Sequence, residues 1–133
     1  MTRLFQILFA VLVLLAGPAP ACSRDQAPPI QIGLIAPLTG GTSAQGRAIR
    51  DGATLAVAEI NRKGGVLGRE LQLVERDDRS NNEVGSEVAN ELTAMPSVAA
   101  AIGYGNTGAA LAGQWHFEEA EVPLIVTAAT GTL

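Results

Sequence analysis

Short apolar segments alternate with amphipathic segments from residue 30 to the end of this 133-residue chain. The apolar segments begin at Ile30, Leu71, Val98 and Pro123. Between them, apolar residues recur every three or four positions, which is the spacing of one helix face. Strands that alternate with helices indicate a parallel sheet with helices on both faces, and right-handed crossovers leave few topologies. We therefore predict an α/β fold with strand order 2-1-3-4.

Each of the three predicted helices has one apolar stripe that should face the sheet. The stripes comprise Ile49, Ala53, Ala56, Val57 and Ile60 in the first helix, Val84, Val88, Leu92 and Met95 in the second, and Leu111, Ala112 and Trp115 in the third. Ser80 or Asn81 is a suitable N-cap for the second helix, and Pro96 should end it.

The loops that follow the four predicted strands should meet at one edge of the sheet. In an open parallel sheet, ligands bind outside the carboxyl ends of the strands, near the point where strand order reverses. The loops at residues 37–46, 103–108 and 127–132 are rich in Thr, Ser, Gly and Asn, and they contain no carboxylate, lysine or cysteine. Such loops can hold a polar, anionic ligand by hydrogen bonds without offering a nucleophile or base.

Residues 103–108, Gly-Tyr-Gly-Asn-Thr-Gly, match the G-x-G-x-x-G pattern of dinucleotide-binding folds. In that fingerprint the motif follows the first strand, and an acidic residue ends the next strand. Here the motif follows the third predicted strand, and the next strand leads into Thr127. We therefore interpret the motif as a turn in front of a helix and disfavour a nicotinamide-dependent oxidoreductase.

Other activities have little support in the sequence. A hydrolase would require Ser43 or Ser80 with His116, and no G-x-S-x-G motif is present. One His, one Cys and scattered carboxylates give no metal-ligand spacing, and we interpret Asp77 and Asp78 as a solvated loop pair. With a formal net charge of −4 and no basic patch, nucleic-acid binding is not expected.

The first 21 residues have the composition of an export signal. Arg3 precedes an almost wholly apolar run over residues 4–16, interrupted only by Gln6. This run is shorter than the roughly 20 residues that a membrane-spanning helix needs, and it suits the apolar region of a signal peptide. We therefore predict a signal peptide at residues 1–21 and an extracytoplasmic, periplasmic protein.

Cys22 directly follows the predicted cleavage site and is the only cysteine. Its position resembles the lipobox of bacterial lipoproteins, which implies lipidation of Cys22 and anchoring to a membrane. Ala19-Pro20-Ala21 also fits ordinary secretory cleavage at the same bond, which would leave a soluble periplasmic protein. In either case residues 22–29 are predicted to be a polar, proline-containing tether.

An ordered series of short motifs runs through residues 30–133. The motifs lie at residues 32–40, 51–53, 58–61, 64–69, 77–78, 102–103 and 123–125. In this combination the chain resembles the first lobe of type I periplasmic binding proteins of the branched-chain amino acid kind. These proteins have two hinged lobes that close over a ligand, and they deliver solutes to ATP-driven importers. The resemblance implies a small-molecule solute such as an amino acid, a membrane permease as partner, no catalytic residue and no cofactor.

The resemblance also implies ligand contacts in the loops after the third and fourth strands. Thr107 stands where a hydroxyl residue holds the ligand's α-carboxylate through its side chain and N–H. Ala128 and Thr130 stand where a backbone carbonyl and a threonine contact the ligand's ammonium and carboxylate groups, and Thr127 belongs to the same stretch.

Three further positions are implied to shape the specificity of this site. Gln45 replaces the aromatic residue that the first loop often presents to the ligand side chain, so an aliphatic amino acid is not assured as the ligand. Tyr104 and Asn106 lie beside Thr107 in sequence and are expected to tune the pocket.

The same resemblance sets limits on what this chain does alone. Members of the family are well over twice as long, and the acidic and aromatic residues that complete the site come from the second lobe. We therefore expect residues 30–133 to form a partial first lobe whose sheet has an unpaired edge and which binds ligand weakly or not at all. A ligand-sensing receptor or regulator built on the same lobe is the alternative to a transport component.

Overall fold

The structure is a computed structural model that describes residues 27–127. Strands and helices alternate along this range: β1 (Ile30–Ala36), α1 (Ser43–Arg62), β2 (Leu71–Asp77), α2 (Asn82–Thr93), β3 (Val98–Gly103), α3 (Thr107–Glu119) and β4 (Leu124–Val126). The four strands form one parallel sheet in the order β2-β1-β3-β4. The predicted α/β fold and strand order are therefore confirmed.

β1 lies at the centre of this sheet and pairs with both β2 and β3. Its second half is completely buried, with Ile35 and Ala36 at 0% exposure. A strand with neighbours on both sides and helices above and below buries both of its faces, which explains its continuous apolar run. β2 pairs only with β1 among the described strands; Gln72 and Glu75 are exposed, and its other residues are partly buried.

The helices lie on opposite faces of the sheet. The chain crosses from β1 to β2 in one direction and from β2 to β3 and β4 in the other, so right-handed crossovers place α1 on one face and α2 with α3 on the other. The contacts agree with this arrangement, because α2 packs along α3 whereas α1 packs on β1 and β2. The main hydrophobic core lies between the α2–α3 pair and the sheet.

The predicted inner face of α3 is wrong. Leu111 and Trp115 are 45% and 50% exposed, and Ala112 is only partly buried. The buried residues of this helix are Ala109, Ala110, Gly113 and Phe117. The alanine and glycine residues let the backbones of α2 and α3 approach closely. Side-chain size, and not hydrophobicity, therefore determines which face of α3 is buried here.

The apolar stripe of α1 is only partly buried in this structure. Within α1, Gly46 and Ala53 are buried, whereas Ala56 is exposed and Ile60 is 36% exposed. Within residues 27–127, none of the helices combines the length and apolarity needed to span a bilayer. The predicted signal peptide at residues 1–21 and Cys22 lie outside the described residues, so the structure does not bear on them.

Candidate functional site

The carboxyl ends of the strands bring four loops to one edge of the sheet. Ala36 pairs with Asp77 in the β1–β2 register, Ile35 pairs with Gly103 in the β1–β3 register, and Gly103 pairs with Val126 in the β3–β4 register. The segments that follow these residues therefore begin side by side. We call residues 37–45, 77–81, 103–107 and 127 the rim.

Asp77 connects two of the rim loops through its carboxylate. Oδ1 accepts hydrogen bonds from the backbone N–H groups of Leu38 at 2.8 Å, Thr39 at 3.1 Å and Arg79 at 2.9 Å. Oδ2 accepts one from the Thr39 hydroxyl at 2.6 Å. Partial burial raises the pKa of Asp77, but these hydrogen bonds outweigh it, and the net pKa lies below its ordinary value.

Asp78 is turned into the protein, with 0% exposure. Its Oδ1 accepts a hydrogen bond from the Ser80 N–H at 2.9 Å, whereas Oδ2 has no hydrogen-bond partner within residues 27–127. Burial raises the pKa of Asp78, the Ser80 N–H opposes that rise, and the nearby Asp77 charge adds to it. The prediction of a solvated acidic pair is therefore wrong, because the first carboxylate is hydrogen-bonded to a neighbouring loop and the second is buried.

Asp78→Asn should become more stable relative to the wild type as the pH rises. The folded-state pKa of Asp78 is raised, so its contribution to stability is full below the unfolded-state pKa and is lost as the pH rises through the folded-state pKa. Asparagine keeps the acceptor for the Ser80 N–H and carries no charge. Asp77→Asn should behave in the opposite way, since the pKa of Asp77 is lowered and its contribution is lost as the pH falls.

Urea unfolding of the two variants between about pH 4 and pH 8 measures both trends. The free energy of unfolding of Asp78→Asn, relative to the wild type, should increase across this range, whereas that of Asp77→Asn should decrease. Two variants with parallel pH profiles would contradict these assignments.

A second set of contacts joins the same two loops. The Ser80 hydroxyl accepts a hydrogen bond from the Thr42 N–H at 3.1 Å and lies 2.8 Å from the Thr42 hydroxyl. Gly40 has φ 83°, and a Cβ there would lie 2.5 Å from the carbonyl oxygen of Arg79. Arg79 and Ser80 themselves have φ of 53° and 58°, a left-handed conformation that costs a non-glycine residue free energy.

Tyr104 lies in the core and not on the surface of the rim. Its backbone N–H donates to the carbonyl of Ile35 at 2.7 Å, and its hydroxyl donates to the carbonyl of Gly85 at 3.0 Å. The side chain has 0% exposure, and burial raises its pKa, with a further rise from the Asp78 charge. The phenol therefore holds α2 against β3 and α3, which contradicts the prediction that this side chain tunes the pocket.

Asn106 and Thr107 form the N-terminus of α3. The Asn106 side chain accepts a hydrogen bond from the Ala109 N–H at 2.9 Å, which makes it the N-cap. Thr107 is the first residue of the helix and is partly buried. Backbone N–H groups point outward from the first turn of a helix and favour a negatively charged group there. The glycine-rich motif thus produces a helix N-terminus at the rim, as its interpretation as a turn before a helix predicts.

The remaining predicted contacts lie on the rim or beyond the described range. Gln45 is exposed in the first turn of α1. Thr127 is exposed, and its N–H and hydroxyl both donate to the carbonyl of Gly103, at 2.8 Å and 3.1 Å. Ala128 and Thr130 lie outside residues 27–127. The role of Asp77 is not predictable from the sequence, because only the register between β1 and β2 shows that its carboxylate meets the first loop.

A hydrolase site is not formed by the serines named from the sequence. The Nε2 atom of His116 lies 3.1 Å from the hydroxyl of a different serine, Ser86, and the His116 ring stacks on Trp115 with centroids 3.7 Å apart. Both Ser86 and His116 lie within helices, where backbone N–H groups are already hydrogen-bonded and cannot form an oxyanion hole. We interpret the pair as a contact between α2 and α3. The described residues contain no cluster of His, Cys, Asp and Glu that could hold a metal ion.

Comparison with known proteins points to one family. Residues 29–132 match the family model described as periplasmic binding protein. The Leu/Ile/Val-binding protein BraC3 of Rhizobium johnstonii is 44% identical over 85 residues, which cover 64% of this chain and 22% of that protein. The chain spans between 22% and 28% of the length of the curated relatives that it matches.

Two solved structures show the same fold with bound acids. The branched-chain amino acid transporter substrate-binding protein LivJ of Streptococcus pneumoniae, in complex with isoleucine, has a TM-score of 0.75 and 35% identity over 77% of this chain and 30% of its own. A solute-binding protein of an ABC transporter from Rhodopseudomonas palustris, in complex with 3,4-dihydroxybenzoic acid, has a TM-score of 0.67 and 34% identity over 75% of this chain and 27% of its own.

Proposed function

The chain belongs to the periplasmic binding protein family, and from this premise we propose that it is part of the solute-binding component of an ABC importer. The described residues contribute part of the first lobe. The full-length protein captures an amino acid or a similar small carboxylate between this lobe and a second one, and passes it to a membrane permease. No chemical step on the solute is part of this role.

The observation that carries this proposal is the position of Thr107. It begins a 13-residue helix at the carboxyl edge of the sheet, directly after β3, which neighbours the central strand. The strand order reverses between β1 and β3, and ligands of open α/β sheets bind at such a point. The helix N-terminus provides N–H groups for a carboxylate, and the threonine hydroxyl is an additional donor.

The charges of the rim support an anionic group at this point. Asp77 is occupied by four hydrogen bonds from rim groups, and Asp78 is buried, so neither carboxylate is directed at a ligand in front of the rim. Isoleucine and 3,4-dihydroxybenzoic acid, the ligands named for two similar structures, both contain a carboxyl group. We therefore propose a carboxylate as the group that the first lobe recognises, with Gln45, Asn106, Thr127, Ala128 and Thr130 as further contacts.

The proposed location is extracytoplasmic. The signal-like residues 1–21 direct export, and Cys22 provides a lipid anchor that keeps the protein near its permease. Metabolic labelling with a fatty acid, compared between the wild type and Cys22→Ala, tests the anchor independently of ligand binding. Equal labelling of the two proteins would contradict lipidation at Cys22.

Thr107→Ala in the full-length protein should weaken binding of the solute by about 1–3 kcal/mol, because a hydrogen bond to a charged group is lost. A thermal-shift screen of amino acids and aromatic carboxylic acids, including isoleucine and 3,4-dihydroxybenzoate, first identifies a binding acid. Isothermal titration of that acid then gives the difference in affinity between the two proteins.

Thr93→Ala is the matched control for this experiment. The Thr93 hydroxyl donates to the carbonyl of Ala89 at 3.0 Å, and Thr93 ends α2 at the opposite edge of the sheet. Its loss should leave affinity unchanged, and Thr107→Ser should retain most of the wild-type affinity. Equal affinity of Thr107→Ala and the wild type would show that this hydroxyl does not contact the solute.

A further inference from the structure

We propose that Asp77 is a positioning residue of the binding site, which holds the loop after β1 in the shape that the ligand meets. This inference rests on the proposed function, because it explains how one side of the rim is fixed before a solute arrives. Asp77 acts through the loop and does not contact the solute.

The contacts of Asp77 are concentrated on that loop. Three of its four hydrogen bonds come from Leu38 and Thr39, about 40 residues earlier in the chain, and the fourth comes from Arg79 in its own loop. The Leu38 N–H is shared between this carboxylate and the backbone carbonyl of Ala36, which lies 2.9 Å away. Without the carboxylate, the Thr39 N–H and hydroxyl would lose a charged acceptor, and the Leu38 N–H would keep only the Ala36 carbonyl.

The geometry of the first loop shows why it needs an external anchor. The loop doubles back so closely that a Cβ at Gly46 would overlap the carbonyl of Pro37. The Pro37 ring in turn lies against Gly105 of the loop after β3. A displacement of the first loop would therefore reach both Gln45, in the first turn of α1, and the segment in front of Thr107.

The second loop is itself held in a costly conformation. Arg79 and Ser80 are both left-handed, and Asp77 and Asp78 each accept a backbone N–H from this pair. The Asp77 carboxylate thus stabilises its own loop and the neighbouring one together. Because the two loops are joined in this way, they are held in place together before the solute arrives. Less conformational entropy is then lost when the solute binds.

Asp77→Ala in the full-length protein should loosen the first loop and weaken binding. Hydrogen exchange of the Thr39 amide should become about tenfold faster or more, as expected when a charge-assisted hydrogen bond is lost, and that of the Leu38 amide, which keeps the Ala36 carbonyl, should accelerate less. The affinity for isoleucine or 3,4-dihydroxybenzoate, whichever the wild type binds, should fall by about fivefold or more. Both changes should appear while the circular dichroism spectrum stays that of the wild type.

Asp78→Asn is the matched control, since within residues 27–127 the adjacent Asp78 carboxylate accepts a hydrogen bond from Ser80 and none from the first loop. It should leave the exchange of the Leu38 and Thr39 amides unchanged. Should Asp77→Ala fail to fold, Thr39→Val removes only the hydroxyl contact, and Gly40→Ala separates the two loops without altering the carboxylate. Both variants should accelerate exchange in residues 38–42.

The two readouts separate this inference from the proposed function. Unchanged amide exchange in Asp77→Ala overturns the positioning role, even in a protein that binds its solute. Accelerated exchange with wild-type affinity also overturns it, because the loop would then have no influence on binding. A wild type that binds no acid in the panel refutes the proposed function, while the exchange data still show whether Asp77 holds the loop.

Discussion

Gly103→Ala should cost about 3–5 kcal/mol of folding stability, the largest effect of any single substitution considered for this protein. Gly103 has φ 142°, a region that is strained for a residue with a side chain. A Cβ there would also overlap the carbonyl oxygen of Ile35. That oxygen accepts the Tyr104 N–H at 2.7 Å and belongs to the central strand, so it cannot move without breaking the pairing of β1 with β3.

Gly52→Ala is the control for the substitution itself. Gly52 lies in α1, is exposed, and a Cβ there would meet no atom within 4 Å. Alanine should stabilise this position by about 0.5–1 kcal/mol, since glycine is the poorer helix former. Urea unfolding of both variants in the full-length protein measures the contrast. A Gly103→Ala protein as stable as the wild type would show that the turn after β3 has room for a Cβ at this position.

Gly113→Ala should be the second most damaging change, at about 2–3 kcal/mol. A Cβ at this position would overlap the hydroxyl of Tyr104 and lie 3.1 Å from the Cβ of Ala89. The phenol would have to move, which would break its hydrogen bond to the Gly85 carbonyl and push α2 away from α3. The effect tests directly whether a glycine allows the tyrosine to lie between the two helices.

A double-mutant cycle makes this prediction specific. Tyr104→Phe alone should cost about 1 kcal/mol, the usual value for one buried hydrogen bond. In the double variant, removal of the hydroxyl makes room for the alanine methyl group, so the total cost should be smaller than the sum of the two single costs. Strictly additive costs, measured by urea unfolding, would mean that Gly113 and Tyr104 do not share this space.

The sequence was sufficient for the fold because local patterns and chain topology agree. Short apolar runs, with partial alternation in β2, predict the strands, helical periodicity predicts α1 and α2, and the right-handed crossover rule restricts the order of the strands. The same reasoning placed the Thr- and Gly-containing loops on one edge, because all carboxyl ends of a parallel sheet lie together. Thr107 and Gln45 are found on that edge.

The errors arose where a side chain's environment depends on distant residues. Helical spacing places Trp115 on the stripe that faces the sheet, yet the close approach of α2 and α3 is made by alanine and glycine, which leaves the indole half exposed. Tyr104 is expected to tune the pocket because it lies beside Thr107 in sequence, yet its side chain is buried against Gly113. Asp77 and Asp78 look alike in the sequence, and only the register between β1 and β2 gives them different partners.

A crystal structure of the full-length protein with its bound acid would show whether the N-terminus of α3 holds the carboxylate. We expect a carboxylate oxygen of the solute to lie within about 3 Å of the Thr107 N–H or hydroxyl, in front of the N-terminus of α3. A solute bound elsewhere, for instance between α2 and α3 beside Trp115 and His116, with Thr107 facing only protein or solvent, would contradict it.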